Sequence, residues 1–361
     1  MIEVIHLITT LSRGGAENQL KVLVREQVRM GYKVTVYYLK DNPELKKVFR
    51  DVGAYIDESL YGRNFIYQVI ALRFRLRDFA GVVHAHLPRA ELLGSLAVRK
   101  NKLVVTRHNA EPFHPTSARF ISKILSNFVQ SRSKFVICIS MAVKDFVLQK
   151  KEITDDRIIR VVYYGFDNDI PNVSPRKKKI DDKTFVVGTV VRLAPQKDLP
   201  TLLRAFTEFN RRHPESKLRI VGDGELRKDL IEFTKQLHIE DSVIWVGKTQ
   251  DVVAEYKKMD LFVLPSKYEG FGMVLLEAFQ LGLAVVAARV SAIPEVLGAS
   301  SDGLFESGNS DELTSKLLRF YDDKRRFDLA ASQKSELMRF SPEVMSESLD
   351  KLYRSVISRG H

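Results

Sequence analysis

Two glutamates eight positions apart, Glu269 and Glu277, bracket a Gly-Phe-Gly turn in PSKYEGFGMVLLE, residues 265–277. Paired carboxylates that break a glycosidic bond stand about 5 to 9.5 Å apart across it. Eight helical steps alone would rise roughly 12 Å. Gly270 and Gly272 mark a turn, so only MVLLEAFQL, from Met273, is expected to be helical. The spacing argues against an acid pair and for two carboxylates acting separately, Glu269 ahead of a helix and Glu277 more than a turn inside it. Between them the amides of Phe271, Gly272, Met273 and Val274 would form the positive end of that helix, a place for an anion. On spacing alone, a helix cap and a surface carboxylate explain the two glutamates equally well.

A second anion-binding feature lies upstream. After the apolar stretch TFVVGTVV, the sequence RLAPQKDLPTLLRAF puts Arg192 and Lys197 in one strand-to-helix loop. A planar guanidinium fork and an ammonium point charge together can neutralise a diphosphate. Near the N-terminus, SRGGAENQL opens a helix with Gly14 and Gly15, which would allow backbone amides to approach an anion; taken alone, the pair is better explained by a plain tight turn. The pattern is neither the dinucleotide fingerprint nor a P-loop, which argues against a nicotinamide enzyme or an ATPase. His84 and His86 alternate in VVHAHLPRAE and so face one way on a strand. With no third ligand at supporting spacing and no strand-end Asp-x-Asp, no metal is expected there. The single cysteine, Cys138, sits in the apolar run FVICIS, the setting of a buried thiol rather than a nucleophile.

These residues need strands to carry them. The first half alternates short apolar runs (EVIHLIT, YKVTVYYL, GVVHAHL, KLVVTRH, KFVICIS) with amphipathic segments, and the second half repeats the rhythm (TFVVGTVV, KLRIVG, SVIWVG, LFVLPS, LAVVAA). Such alternation indicates βαβ units and parallel sheets. At 361 residues and 45% hydrophobic content, two ordinary cores are expected. The expected fold is α/β, with two Rossmann-like, doubly wound domains. They span residues 1–170 and 184–341, joined by a linker at 171–183 (PNVSPRKKKIDDK), with a helix at about 342–361 packing back on the first. Ligands bind beyond the carboxyl ends of parallel strands, so two such domains facing one another would make a central cleft. No stretch approaches ~18 apolar residues. The start, MIEVIHLITTLSRGG, carries Glu3 and no basic region, so it is expected to be a strand in a cytoplasmic protein rather than a signal peptide.

Charge is unevenly placed. Residues 1–170 hold 27 lysines and arginines against 17 acids, which is +10 of the total +12. A basic first half suits an anionic surface or a phosphate-bearing substrate, although a solvated basic face explains it too. Nucleic acid is disfavoured, because RFRLR and RKKK lack interleaved aromatic platforms apart from Phe74 and no helix-turn-helix or zinc finger pattern occurs.

Several ordered motifs together, EGFGMVLLE, VVRLAPQKDLPTLLRAF, RIVGDGELRKDL, SAIPEVL after LAVVAA, and RGGAE, make nearly the whole chain resemble the retaining glycosyltransferases of family 4, which have the GT-B fold and use nucleotide-sugar donors. The resemblance implies that Arg192 and Lys197 grip the donor diphosphate, Glu277 binds the ribose and Glu269 the hydroxyls of the donor sugar. Phe271, Gly272, Met273 and Val274 would contact phosphate and sugar, Val246 and Lys248 the base, Gly15 the donor phosphate, and His108 the neighbourhood of the donor sugar. Two departures stand out: Tyr164-Gly165 where the family commonly has Asn-Gly, and Gly282-Leu283-Ala284 where it has a Gly-Xaa-Pro run.

The expectation is a retaining, metal-independent, cofactor-free transferase. It would move a hexose or N-acetylhexosamine from a nucleotide-diphosphate sugar, with UDP the expected nucleotide, to a glycan or lipid-linked acceptor in surface polysaccharide or glycolipid assembly. Alternatives are a GT-B epimerase, which needs no acceptor, and a non-catalytic sugar-nucleotide sensor. A membrane role is suggested by Arg73, Arg75 and Arg77 in ALRFRLRDF. The stripe Phe120, Ile121, Ile124, Leu125, Phe128 and Val129, flanked by Arg119 and Lys123, adds to it. Core packing would explain the same stripe, so peripheral contact with an anionic inner membrane face stays an expectation beside it.

Overall fold

The computed structural model describes residues 2–12, 14–40, 43–114, 118–166 and 184–358. The expected linker, 171–183, and its RKKK run lie outside these residues, as does Arg13; the side chain of Arg119 is likewise not described. The chain divides into two compact units, one of Met1–Asp167 with Phe340–His361 and one of Asn168–Arg339.

In the first unit the elements follow in the order β1 (Glu3–Ile8), α1 (Gly15–Arg29), β2 (Lys33–Tyr38), α2 (Lys46–Asp51), β3 (Tyr55–Asp57), α3 (Phe65–Arg75), β4 (Val82–His86), α4 (Pro88–Ala97), β5 (Leu103–Arg107), α5 (Arg119–Arg132), β6 (Phe135–Cys138), α6 (Met141–Gln149) and β7 (Ile159–Val161). The strands pair in parallel in the order β3-β2-β1-β4-β5-β6-β7. The chain crosses outward on one side of β1 and then restarts at β4, so the switch point of this sheet lies between β1 and β4.

The second unit contains β8 (Val186–Val190), α7 (Leu199–Arg212), β9 (Lys217–Val221), α8 (Arg227–Gln236), β10 (Val243–Gly247), α9 (Val252–Tyr256), β11 (Leu261–Leu264), α10 (Met273–Gln280), β12 (Ala284–Ala288), α11 (Ile293–Leu297), β13 (Leu304–Phe305), α12 (Ser310–Phe320) and α13 (Asp323–Ser335). Its parallel sheet runs β10-β9-β8-β11-β12-β13, the Rossmann order with the switch between β8 and β11. β11 and β12 are buried on both faces, which is why they are unbroken runs of Leu, Val, Phe and Ala.

The last helix, α14 (Pro342–Ser358), belongs to the first unit and packs on α1. Met345, Leu349, Tyr353 and Val356 from α14 join Leu20, Leu23 and Val24 from α1 and Val4, Val34 and Val104 from the sheet in one core. Their spacing of three and four residues keeps one face of α14 on that core.

Two helices of this unit are turned inside out. On α5 the inward side chains are Ser122, Ser126, Val129 and Gln130, whereas Phe120 (71% exposed), Ile121, Ile124 and Phe128 face outward. The serines are held inside by bonds: Ser122 Oγ donates to Glu152 at 3.2 Å, Ser126 Oγ to the Glu152 carbonyl at 2.8 Å, and Arg107 to Ser126 Oγ at 2.6 Å. On α3 Gln68 and Leu72 are buried while Ile66, Ile70 and Phe74 (77% exposed) are not. Core packing therefore does not account for the α5 stripe, except at Val129 and in part at Leu125.

Candidate active site

In the second unit the loops after β8 and β11, adjacent strands at the switch point, are tied together. The β8 loop carries exposed Arg192, a turn at Pro195–Lys197, and Asp198, which holds a left-handed backbone (φ 46°, ψ 43°) as α7 begins. Such a conformation costs a non-glycine residue about 1–3 kcal/mol and persists only where neighbours impose it. Here Thr201 Oγ1 donates to the Asp198 carboxylate at 2.8 Å and Lys267 pairs with it at 3.5 Å. The Lys267 amide donates to the Gln196 carbonyl at 2.8 Å, and Gln196 Nε2 to the Tyr268 carbonyl at 2.9 Å.

These bonds bring Lys197 and Glu269 together. Lys197 Nζ lies 2.5 Å from Glu269 Oε1, and Ser266 Oγ donates to the same oxygen at 2.7 Å. Glu269 is buried, and the lysine and the serine are the partners of its Oε1. Three residues on, Gly272 is left-handed at φ 86°, and a Cβ there would meet the Leu275 side chain at 2.9 Å. The turn leads into the N-terminal end of α10, which has no side-chain cap and where the helix dipole is positive. Glu277 lies one turn inside α10 and has a different partner, accepting from the Tyr256 hydroxyl at 2.8 Å. Burial raises its pKa, and the tyrosine bond opposes that shift. The two glutamates are thus held by separate partners rather than by each other.

A cavity of about 770 Å³ opens at the carboxyl ends of β8, β9 and β10. Arg192, Lys248 and Val274 line it together with Gly222, Gly224 and Gly247. Val246 is half-buried within β10, and the wall there is Gly247 and Lys248 instead. Gly222, at φ 121°, could not be replaced without strain, because its Cβ would fall 1.9 Å from the Val191 carbonyl oxygen. The pair Gly222 and Gly224 was visible in GDGE after KLRIV, but a glycine pair after a strand does not reveal which backbone it must clear.

Gly15 and His108 belong to the first unit. The neighbouring glycines differ in their reasons: a Cβ on Gly14 would strike Glu17 Oε2 at 2.3 Å, whereas one on Gly15 would meet nothing within 4 Å, so that face is open to a ligand. Glu17 turns back onto the loop and accepts from Thr10 Oγ1 at 2.7 Å and Ser12 Oγ at 3.2 Å.

His108 is one link of a buried chain. Tyr164 Oη lies 2.5 Å from His108 Nδ1, His108 Nε2 3.2 Å from His86 Nδ1, His86 Nε2 3.0 Å from His6 Nδ1, and His6 Nε2 2.8 Å from Gln27 Oε1. Gln27 Nε2 continues to Tyr353 Oη at 3.4 Å, which meets His84 Nδ1 at 2.6 Å, and His84 Nε2 meets Thr106 Oγ1 at 2.6 Å. With the Gln27 oxygen as acceptor, one direction of donation satisfies every ring nitrogen with all four imidazoles neutral. Burial favours the same state: it lowers His108 to about 3 and His6 to about 4, and holds His84 and His86 well below the usual value. His6 supplies the third histidine that spacing did not reveal, and His6, His84 and His86 bring ring nitrogens within 4.8 Å of one another. Those nitrogens already have protein partners, so the cluster is built as a hydrogen-bonded core that fixes the end of β4. Cys138 is buried and its thiol is pushed up to about 12, which leaves it unreactive at neutral pH.

Two parallel sheets, each with its own switch point, define a protein of the two-Rossmann class. The model "Glycosyltransferase Family 4" matches residues 13–170 and "Glycosyl transferases group 1" matches 172–336. The chain belongs to the group 1 glycosyltransferases. A curated relative, "UDP-Gal:alpha-D-GlcNAc-diphosphoundecaprenol alpha-1,3-galactosyltransferase" of Escherichia coli, is 28% identical over 262 residues, 67% of each chain. The "D-inositol 3-phosphate glycosyltransferase" of Corynebacterium jeikeium is 32% identical over 52% of this chain and 48% of its own. Among solved structures, Anabaena Alr3699/HepE in complex with UDP superposes with a TM-score of 0.82 at 20% identity, covering 98% of this chain and all of the other. The same protein with UDP-glucose gives 0.79. These likenesses bear out the GT-B fold.

Proposed function

We propose that the protein is a retaining, metal-independent glycosyltransferase that moves a hexose or N-acetylhexosamine from a UDP-sugar to a lipid-linked glycan acceptor. The observation that carries this is the Lys197–Glu269 pair at 2.5 Å in the loops that lead to the N-terminal end of α10, with Arg192 lining the 770 Å³ cavity that Val274 of α10 also lines. The nucleotide occupies that cavity, Glu277 takes ribose hydroxyls, and Glu269 takes hydroxyls of the transferred sugar. Arg192, Lys197 and the α10 end meet the diphosphate, where negative charge grows as the anomeric C–O bond breaks. The acceptor oxygen bonds to the anomeric carbon on the face the diphosphate leaves, and its proton passes to a diphosphate oxygen. No side chain is needed as the base, in keeping with His108, whose two ring nitrogens are both engaged.

The UDP-linked names of the Escherichia coli relative and of the Anabaena complexes support the nucleotide. The diphosphoundecaprenol in the former name supports a lipid-linked acceptor. Peripheral docking to an anionic membrane is supported by the outward faces of α3 and α5, with exposed Arg73 on α3, Lys123 on α5 and Arg77 just past the end of α3. No helix of the described residues is long and apolar enough to cross a membrane. The test is transfer from a panel of UDP-, GDP- and ADP-sugars to a lipid-linked acceptor with chelator present. A UDP-sugar giving an axial product linkage from an axial donor supports the proposal. An inverted linkage, activity only with added metal, or turnover of donor that leaves an epimer would refute it.

A further inference from the structure

A second cavity, of about 630 Å³, lies in the first unit at the carboxyl ends of β1, β2 and β4, the switch point of that sheet. Its walls are mostly apolar, Phe65, Leu92 and Leu125 among them, and five polar residues line it as well, Thr9, Thr10, Lys40, Arg89 and His114. Two of these carry buried atoms without a hydrogen-bond partner among the described residues, Thr9 Oγ1 and Arg89 Nε. Arg89 is otherwise held in place, its plane over the Phe65 ring at 5.2 Å and one terminal nitrogen donating to Gln68 Oε1 at 3.3 Å. An arginine whose inner N–H is desolvated and unmatched costs stability unless a ligand completes it. Leu87, on the same wall, holds φ 71° and ψ 148° at the β4–α4 turn, a conformation rare outside glycine.

The cavity adjoins the outward apolar faces. Phe65 and Leu125 line it, and the residues beside them, Ile66 (72% exposed), Ile121 and Ile124, face outward on α3 and α5. α3, α4 and α5 pack side by side in one layer. A fitting occupant must present a polar anion to Arg89, Lys40 and Thr9 and a hydrocarbon to the surface formed by α3 and α5. We infer that this cavity is the acceptor subsite for an isoprenyl phosphate or diphosphate ester, with Arg89 Nε and Thr9 Oγ1 donating to phosphate oxygens, Lys40 adding charge, and the lipid running out over α3 and α5. The inference rests on the lipid-linked acceptor proposed above and assigns it a place and residues.

The probe is farnesyl diphosphate, titrated calorimetrically with UDP present at saturation to fill the nucleotide site. Inorganic pyrophosphate and farnesol are the single-feature controls. Wild type is expected to bind farnesyl diphosphate at least about tenfold more tightly than either control, and R89Q to lose at least about tenfold of that affinity while binding farnesol unchanged. K40Q, at an exposed position, keeps the test valid if R89Q unfolds; a smaller loss in the same direction is expected, with unaltered melting. Equal binding of pyrophosphate would leave an anion site without a lipid role and overturn the inference, as would affinity indifferent to both substitutions. A failed transfer assay with substitution-sensitive probe binding would count against the proposed function instead; intact transfer with indifferent binding counts against this cavity alone.

Discussion

At the scale of single residues, the two glutamates that first raised the possibility of a hydrolase pair are separated by their partners. Glu269 is tied to Lys197 and Ser266, Glu277 to Tyr256. Glu277→Gln keeps size and one hydrogen bond but removes the carboxylate proposed to take the ribose hydroxyls. Donor KM should rise about ten- to a hundredfold with melting unchanged, since a hydrogen bond to a charged group contributes about 1.5–3 kcal/mol. Unaltered donor KM would remove Glu277 from the site. Spacing alone left a helix cap and a surface carboxylate as equal readings of the two glutamates, and only the resemblance to the family assigned them, Arg192 and Lys197 to a donor. The histidine chain was not legible. His6, His84 and His86 come from β1 and β4, which only sheet pairing sets side by side (His6 opposite His84), and Tyr164, noted as a departure from the family, gives no sign in sequence that it ends on His108.

At the scale of elements, periodicity predicted the strands and α10 well, because buried parallel strands and an amphipathic helix have distinct periods. It did not give the orientation of α5. The stripe Phe120, Ile121, Ile124 and Phe128 has the spacing of a core face, yet the bonds of Ser122 and Ser126 to Glu152 turn it outward. Period identifies a face and not the side it meets. Substituting Ile124 and Phe120 by serine should change stability by no more than about 0.5 kcal/mol, as for other exposed sites. Flotation with anionic liposomes should fall while neutral liposomes stay unbound. Loss of folding on this change, or undiminished flotation, would contradict the outward role. Gly222 and Gly224 make a similar point, since their need for glycine lies in the Val191 and Leu193 carbonyls of a neighbouring strand's loop.

At the scale of the molecule, the neutral histidine core predicts an acid limit to stability. His6 titrates at about 4 in the folded chain and near 6.5 when unfolded, so as pH falls the unfolded state takes up the proton first. Its contribution is complete above about 6.5 and is lost progressively as pH falls toward 4, by roughly 1.4 kcal/mol for each unit in that window. His84, His86 and His108 act in the same direction. Urea midpoints should therefore drop steeply from pH 7 to pH 5, and a flat profile would contradict the chain as described.

The claim on which the account turns is that Lys197, paired with Glu269 at the switch point of the second unit, stabilises the departing diphosphate. The direct measurement is the rate of UDP release from the preferred UDP-sugar by wild type and by Lys197→Ala, with chelator present and melting temperatures compared. A fall of about a hundred- to a thousandfold per folded molecule is expected, the size that follows when a preorganised transition-state charge is removed, beyond any drop in melting temperature from leaving the buried Glu269 carboxylate without its lysine. A rate within a few fold of wild type would contradict it.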